Sequence, residues 1–173
     1  ASDSSWPGRP IISTDPPYYD NIGYADLSDF FYVWLRRCLK DVHPDLFSTV
    51  LTPKEGELIA APYRHKGNKH EAHQYFMSGM RTALSRMAKD ANESYPITIY
   101  YAFKQSDTKN VGTASSGWEA FLQAVLESGL LVTGTWPMRT ESSGRLIAKG
   151  TNALASSIIL VCRTRPIDAP NTT

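Results

Sequence analysis

Cysteine is scarce in this chain. The two present, Cys38 and Cys162, sit inside apolar periodic segments, so they predict buried free thiols rather than a disulfide scaffold or a cysteine-based metal set. No apolar run reaches membrane-spanning length, and no signal-peptide pattern is visible, so a membrane protein is not expected and a cytoplasmic one is. An excess of one charge is also missing: 18 Lys and Arg stand against 17 Asp and Glu, a net charge of +1. Such a balance creates no whole-chain field for a polyanion, so any nucleic-acid contact must come from a local patch or from other parts of a longer protein. A phosphate-cradling Gly-x-Gly turn is absent too, because Gly112, Gly117, Gly129 and Gly134 do not form one between a strand and a helix. What remains is ordinary for a globular protein, with 42% hydrophobic and 20% charged residues. A chain of 173 residues reads as a single domain over 1–173, large enough to bury a good core, with an irregular lead-in at 1–9 and a loose tail at 165–173.

One stretch organises the rest: Ile11-Ile12-Ser13-Thr14-Asp15-Pro16-Pro17-Tyr18-Tyr19-Asp20. Ile11 and Ile12 are β-branched and suit a buried strand. Pro16 and Pro17 lack a backbone N–H, so the strand stops there, and Asp15, preceding a proline, is held extended. A stiff loop at the carboxyl end of a strand then presents Asp15 and Tyr18, and ligands of open α/β sheets bind at that end. Two other readings fit the same residues. One is a proline-terminated surface turn. The other is a Pro-Pro-Tyr-Tyr ligand for a WW-type domain, which the apolar, patterned flanks disfavour.

Along the chain, residues 10–14 read as a strand. Leu27, Phe30, Phe31, Trp34, Leu35 and Cys38 recur at helical spacing to about residue 40, with Asp26 or Ser28 as the N-cap and the aromatic residues toward the core. Residues 41–70 carry no clear period and end in the basic cluster Arg64-His65-Lys66-Gly67-Asn68-Lys69-His70. A second helix runs from about Glu71 to Ala91. Ile97–Phe103 is a near-continuous apolar strand suited to a sheet centre. Trp118–Glu127 is an amphipathic helix with Gly129 as its C′ residue. Leu130–Trp136 and Ser156–Cys162 are strands with too short a connection for a crossover, so they pair as a hairpin.

The tetrapeptide Asp15-Pro16-Pro17-Tyr18 resembles the Asp-Pro-Pro-Tyr motif of amino-methyltransferases, which transfer a methyl group from S-adenosylmethionine to the exocyclic amine of adenine, usually in DNA. The element order over roughly residues 10–163 is similar to the second half of the Rossmann-like methyltransferase fold. The resemblance implies an α/β fold with a mostly parallel sheet and a final antiparallel strand. It implies S-adenosylmethionine as cofactor, double-stranded DNA with a flipped base as partner, and no metal. Asp15, Pro16, Pro17 and Tyr18 become the catalytic set. Asp15 and the Pro16 carbonyl accept the two amine hydrogens, and Tyr18 stacks on the base. The family's glycine-rich turn is missing, so the cofactor half is expected on the remainder of a longer polypeptide, with Asp15 making only an edge contact to the cofactor. An Asn-Pro-Pro-Tyr form belongs to related glutamine-modifying enzymes, and Asp15 argues against it. The alternatives are the same chemistry on RNA or on cytosine amine, and a non-catalytic module that binds nucleic acid or protein.

Further candidates are weaker. Tyr19 and Tyr24 line the same pocket or merely pack. Trp136 and Arg139, at the end of a strand, contact base or DNA backbone, or Trp136 packs half-buried. Arg64 and Lys66 of the basic cluster and the polar loop from Arg139 to Lys149 approach phosphates. His65, His70 and His73 have a ligand-compatible spacing in part, but no carboxylate pair or cysteine completes a zinc set. Trp34, Trp118 and Phe30 read as core.

Titration calorimetry of the isolated chain with S-adenosylmethionine should give weak or no binding, because the residues that hold most of the cofactor are missing. A tight, saturable heat would refute this.

Overall fold

A computed structural model of the chain describes residues 8–19, 22–103, 116–138, 156–166 and 168–169. Residues 104–115 and 139–155, with Lys104, Gln105, Arg139 and Lys149, lie outside the described residues. The elements run β1 (Ser13–Thr14), α1 (Tyr24–Leu39), a 3₁₀ turn (Pro62–His65), α2 (Lys69–Asp90), β2 (Ile97–Phe103), α3 (Ser116–Glu127), β3 (Leu130–Met138) and β4 (Ser156–Thr164).

The four described strands form one sheet in the order β1-β2-β4-β3. β1 pairs with β2 in parallel, while β4 is antiparallel to both β2 and β3. The fold is therefore mixed α/β. The final strand is antiparallel, as expected, and because it lies between β2 and β3 only one adjacent pair, β1 with β2, is parallel. Strand direction explains this: β1, β2 and β3 run one way, and β4 alone runs the other way between β2 and β3, so it makes both of its neighbouring pairs antiparallel.

β1 is shorter than the apolar run that predicts it. Ile11 is exposed, and only Ile12 of the pair packs against the core. The backbone before it still follows β2, with Asn92 N–H donating to the Pro10 carbonyl at 2.9 Å and Thr98 N–H to the Ile12 carbonyl at 3.0 Å. Pairing ends where the prolines begin.

One face of the sheet carries the core. Ile97, Ile99 and Tyr101 of β2 alternate inward beside Leu160 and Cys162 of β4, and α2 and α3 cover them with Phe76, Met80, Leu84, Phe121 and Val125. Burial pushes the Cys162 thiol up to about 11, so this cysteine is the inert apolar residue expected. α2 starts two residues earlier than its apolar stripe suggests. Asn68 accepts hydrogen bonds from the N–H groups of His70 and Glu71 at 3.0 and 3.2 Å, and its amide donates to Glu71 Oε1 at 2.8 Å. This reciprocal cap was present in the sequence as Asn-x-x-Glu. Gly129, at φ 83°, ends α3 in the left-handed conformation that glycine tolerates best.

α1 departs from expectation. Its N-cap position is Gly23, without a side-chain cap. Phe30 and Trp34, expected in the core, are 68% and 57% exposed, and Cys38 is exposed as well. The helix is tied instead to the segment that follows it. Tyr32 Oη donates to the carbonyls of Leu46 and Thr49, Arg36 Nε donates to the Phe47 carbonyl at 3.2 Å, and Lys54 Nζ pairs with Asp29 at 2.8 Å.

Replacing Phe121 by Ala should cost about 3–5 kcal/mol in denaturant unfolding, the usual loss for a fully buried aromatic ring. Phe30→Ala should change stability by no more than about 0.5 kcal/mol. Equal losses would show that α1 packs as Phe121 does.

Candidate functional site

Asp15 stands at the carboxyl end of β1, where the ladder to β2 stops at the Thr14–Ile99 pair. Pro16 is buried, Pro17 and Tyr18 are half-buried, and Asp15 is exposed. The Tyr18 ring packs edge-on against Tyr101, with centroids 5.1 Å apart, and Tyr101 stacks on Phe121 at 4.2 Å. A chain of three rings therefore carries the loop down to the core. The Tyr18 hydroxyl turns back and donates to Asp15 Oδ1 at 2.9 Å, leaving Oδ2 outside this bond.

Asp15, Pro16, Pro17 and Tyr18 line a cavity of about 370 Å³ together with Tyr24 and Glu57. Tyr24 is the first residue of α1, and Glu57 comes from the segment with no periodic pattern, so neither the spacing nor the composition around Glu57 marked it. Its position follows from packing of the next residue: Leu58 lies so close over α2 that a Cβ on Gly79 would fall 2.2 Å from Leu58 Cδ2. A larger residue at 79 would have to displace the Leu58 side chain.

The other candidates divide. Tyr19 does not line the cavity. It is wedged between α2 and the start of α3, with its hydroxyl 3.0 Å from His73 Nδ1, its ring edge-on to Phe76 at 5.0 Å, and its Cβ 2.8 Å from where a Cβ on Gly117 would stand. Its carbonyl accepts from Ala60 N–H at 2.7 Å, joining the motif loop to the 57–61 segment. The three histidines meet three surroundings: His73 faces Tyr19, His65 lies against Tyr75 at 5.3 Å, and His70 is exposed. Trp118 packs against the core beside Tyr101 and Phe121.

Trp136 is 67% exposed. A bulge between Val132 and Gly134 explains why. The alternation that buries Leu130 would carry Trp136 to the helix side, but the extra residue reverses it and sets Trp136 opposite Ile159 on the other face. Three strand spacings, roughly 14 Å, separate β3 from β1, so Trp136 shares the Asp15 edge of the sheet without lining the cavity. Arg139 lies outside the described residues.

Arg64 and Lys66 also part company. Lys66 is exposed, in the left-handed conformation at φ 52°. Arg64 turns inward, with Nη2 2.8 Å from both Asp26 Oδ2 and Glu57 Oε2 and Nη1 donating to the Lys54 carbonyl at 3.2 Å. The contact to Glu57 Oε2 lacks the angle of a directed hydrogen bond, so it is a charge contact between largely shielded groups. Burial works against the guanidinium charge, but the contacts to Asp26 and Glu57 outweigh it and hold the pKa above its ordinary value. Hydrogen bonds from Tyr63 and Arg64 hold the Asp26 carboxyl below its usual range.

Taken together, the site is a solvent-accessible cleft with two carboxylates and two phenol rings on its walls. Such a lining suits a flat ligand rich in hydrogen-bond donors, or one bearing positive charge. Among the described residues no helix is long and apolar enough to cross a membrane, and no cluster of His, Cys, Asp and Glu has metal-binding geometry. Comparison with known proteins gave no significant match to a family model, a curated sequence or a solved structure.

The Tyr18 hydroxyl is pushed from 10.0 up to about 12, first by burial and then by the Asp15 carboxylate that accepts its proton. Because the folded value lies above the unfolded one, the stability this proton contributes is complete below about pH 10 and is lost as the pH rises toward about 12. Unfolding free energies across that range should fall more steeply for the wild type than for Tyr18→Phe. Parallel curves would mean that the hydroxyl is not held by Asp15.

Proposed function

We propose that this chain is the catalytic half of an S-adenosylmethionine-dependent methyltransferase acting on the N6 amine of adenine in DNA. The observation that carries the reading is the Asp15–Tyr18 tetrapeptide at the carboxyl end of β1, with Asp15 and Tyr18 on the wall of one cavity. The strand order lends support, because one antiparallel strand inserted beside parallel ones is the arrangement of the second half of the methyltransferase sheet. On this reading the partners are double-stranded DNA and the remainder of a longer polypeptide, and the setting is cytoplasmic.

The residues present fit the reacting end of the cofactor only. Two tyrosine rings and the Asp15 carboxylate favour a sulfonium charge, while the Glu57 carboxylate is already engaged by Arg64 and the Ala25 N–H. Among the described residues the cavity lining offers no cation for the cofactor's carboxylate and no glycine-rich turn, so on this reading those contacts fall to other residues of the intact protein. S-adenosylmethionine would supply the electrophilic methyl group.

The chain's own contribution is to make a poor nucleophile attack. The lone pair of the adenine amine is delocalised into the ring. Acceptors for both amine hydrogens favour rehybridisation and aim that lone pair outward. Asp15 Oδ2 is outside the bond to Tyr18 and accepts one hydrogen, and the Pro16 carbonyl accepts the other. The Asp15 charge stabilises the positive charge that develops on nitrogen, the inverse of an oxyanion hole. The Tyr18 ring, braced by Tyr101, offers a face to the base.

In the intact protein, Asp15→Asn should lower methyl transfer on the order of a hundredfold or more with thermal stability preserved. Tyr18→Ala should weaken target-base binding by roughly 1–3 kcal/mol, while Tyr18→Phe keeps the stacking face. Transfer of labelled methyl groups to duplex DNA, compared with RNA and with substrates in which only cytosine is available, decides the target. Undiminished activity of Asp15→Asn would reduce the motif to a structural turn.

A further inference from the structure

Part of the cavity wall comes from outside the motif loop and the sheet. Tyr24 and Glu57 form it, and an ion-pair network outside the core holds them. Glu57 Oε1 accepts the backbone N–H of Ala25 at 3.1 Å. That amide lies in the first turn of α1, where Gly23 offers no side-chain cap, so a carboxylate from a distant segment does the work of a cap. A Cβ at position 23 would lie 2.8 Å from Asp26 Oδ2 and 3.0 Å from Tyr63 Oη, so a larger residue there would have to shift those two side chains.

Arg64 closes the network. It touches Glu57 on one side and Asp26, in the same first turn, on the other, while Tyr63 Oη donates to Asp26 Oδ2 at 2.5 Å. Arg64 and Glu57 have side chains only 15% and 14% exposed, so removing Arg64 leaves the shielded Glu57 carboxylate without its cation, whereas Arg64 without Glu57 still has Asp26. None of these groups belongs to the motif loop. What they fix is the position of Tyr24, the residue directly before Ala25. Tyr18, whose ring rests on Tyr101, and Tyr24 both line the cavity.

We propose that Arg64 is a positioning residue: by holding Glu57 against the first turn of α1 it sets Tyr24 across the cavity from Tyr18, and the two rings accept one flat heteroaromatic base between them. This rests on the base-binding reading of the cavity and extends it to a residue that touches neither base nor phosphate. A guanidinium already countered by two carboxylates is poorly placed to neutralise a DNA phosphate, which is the role that the basic cluster suggests in the sequence.

The test uses the intact protein and an oligodeoxynucleotide carrying one 2-aminopurine, whose fluorescence is quenched on stacking. Tyr24→Ala and Arg64→Gln should each weaken binding on the order of tenfold, as loss of one base-stacking contact does. The double variant should bind no worse than either single one, because both changes remove the same wall. Tyr24→Phe should bind like the wild type, and the salt dependence of every variant should match it. If the double variant loses the product of the two single effects, or if Arg64→Gln lowers the salt slope by about one, Arg64 is a phosphate contact and the proposal fails. Should Arg64→Gln melt early, Arg64→Lys, which keeps one charge for the carboxylates, takes its place in the cycle. Tyr18→Ala separates the two levels. Weakening by Tyr18→Ala but not by Tyr24→Ala overturns the positioning proposal alone. No effect of Tyr18→Ala, or no saturable change of fluorescence with the wild type, overturns the base-binding reading with it.

Discussion

The edge-on contact of Tyr18 with Tyr101 is the joint on which the candidate site depends. Two prolines end β1 and deny the following loop any ladder hydrogen bonds of its own. Without another attachment such a loop would be set only by its ends. The ring of Tyr18 supplies that attachment, because Tyr101 beneath it is buried at 3% exposure and stacked on Phe121, itself fully buried in α3. Tyr19 adds a second anchor through Phe76 and His73 of α2. Side chains of β2, α2 and α3 thus hold in place a carboxylate that stays exposed to solvent. This combination suits a site that must keep its geometry while meeting a ligand.

Polar contacts play a different part from apolar ones here. The core on one face of the sheet fixes α2, α3, three of the strands and Ala60 of the segment after α1, whereas α1 is joined to that segment by ion pairs, single hydrogen bonds and the Tyr32–Phe47 ring contact. Lys54 with Asp29 and Arg64 with Asp26 and Glu57 hold this layer. Exposed ion pairs of this kind contribute little stability each, yet they define direction and register well. The shielded Arg64–Glu57 contact is the exception, since breaking it strands a charge.

α1 also shows how an amphipathic pattern can mislead. Leu27, Phe30, Phe31 and Trp34 recur at helical spacing and correctly announce a helix. The same residues are exposed, with Phe30 and Phe31 packed against each other at 5.2 Å. Periodicity reports that a helix has an apolar stripe and is silent about what that stripe meets. β3 makes a similar point, because one extra residue near Thr133 sends Trp136 to the opposite face from Leu130.

The sequence by itself determined the elements and the motif. The stop after Thr14 follows from Pro16 and Pro17, β2 from a seven-residue run of strand formers broken only by Ala102, the end of α3 from Gly129, and the β3–β4 hairpin from two apolar runs without a helix between them. These are local consequences of backbone chemistry and side-chain period, so nearby residues suffice to specify them. Only the tertiary structure decided that Arg64 turns from the solvent toward Asp26 and Glu57, that Tyr24 and Glu57 join the motif at one cavity, and that Tyr19 packs while Tyr18 lines the opening. Each of these depends on which distant segments come to lie side by side. Leu58 resting over Gly79 brings in Glu57, and β4 running back between β2 and β3 sets the distance of Trp136. A residue type limits what a side chain can bond to, but the packing of remote segments chooses the partner.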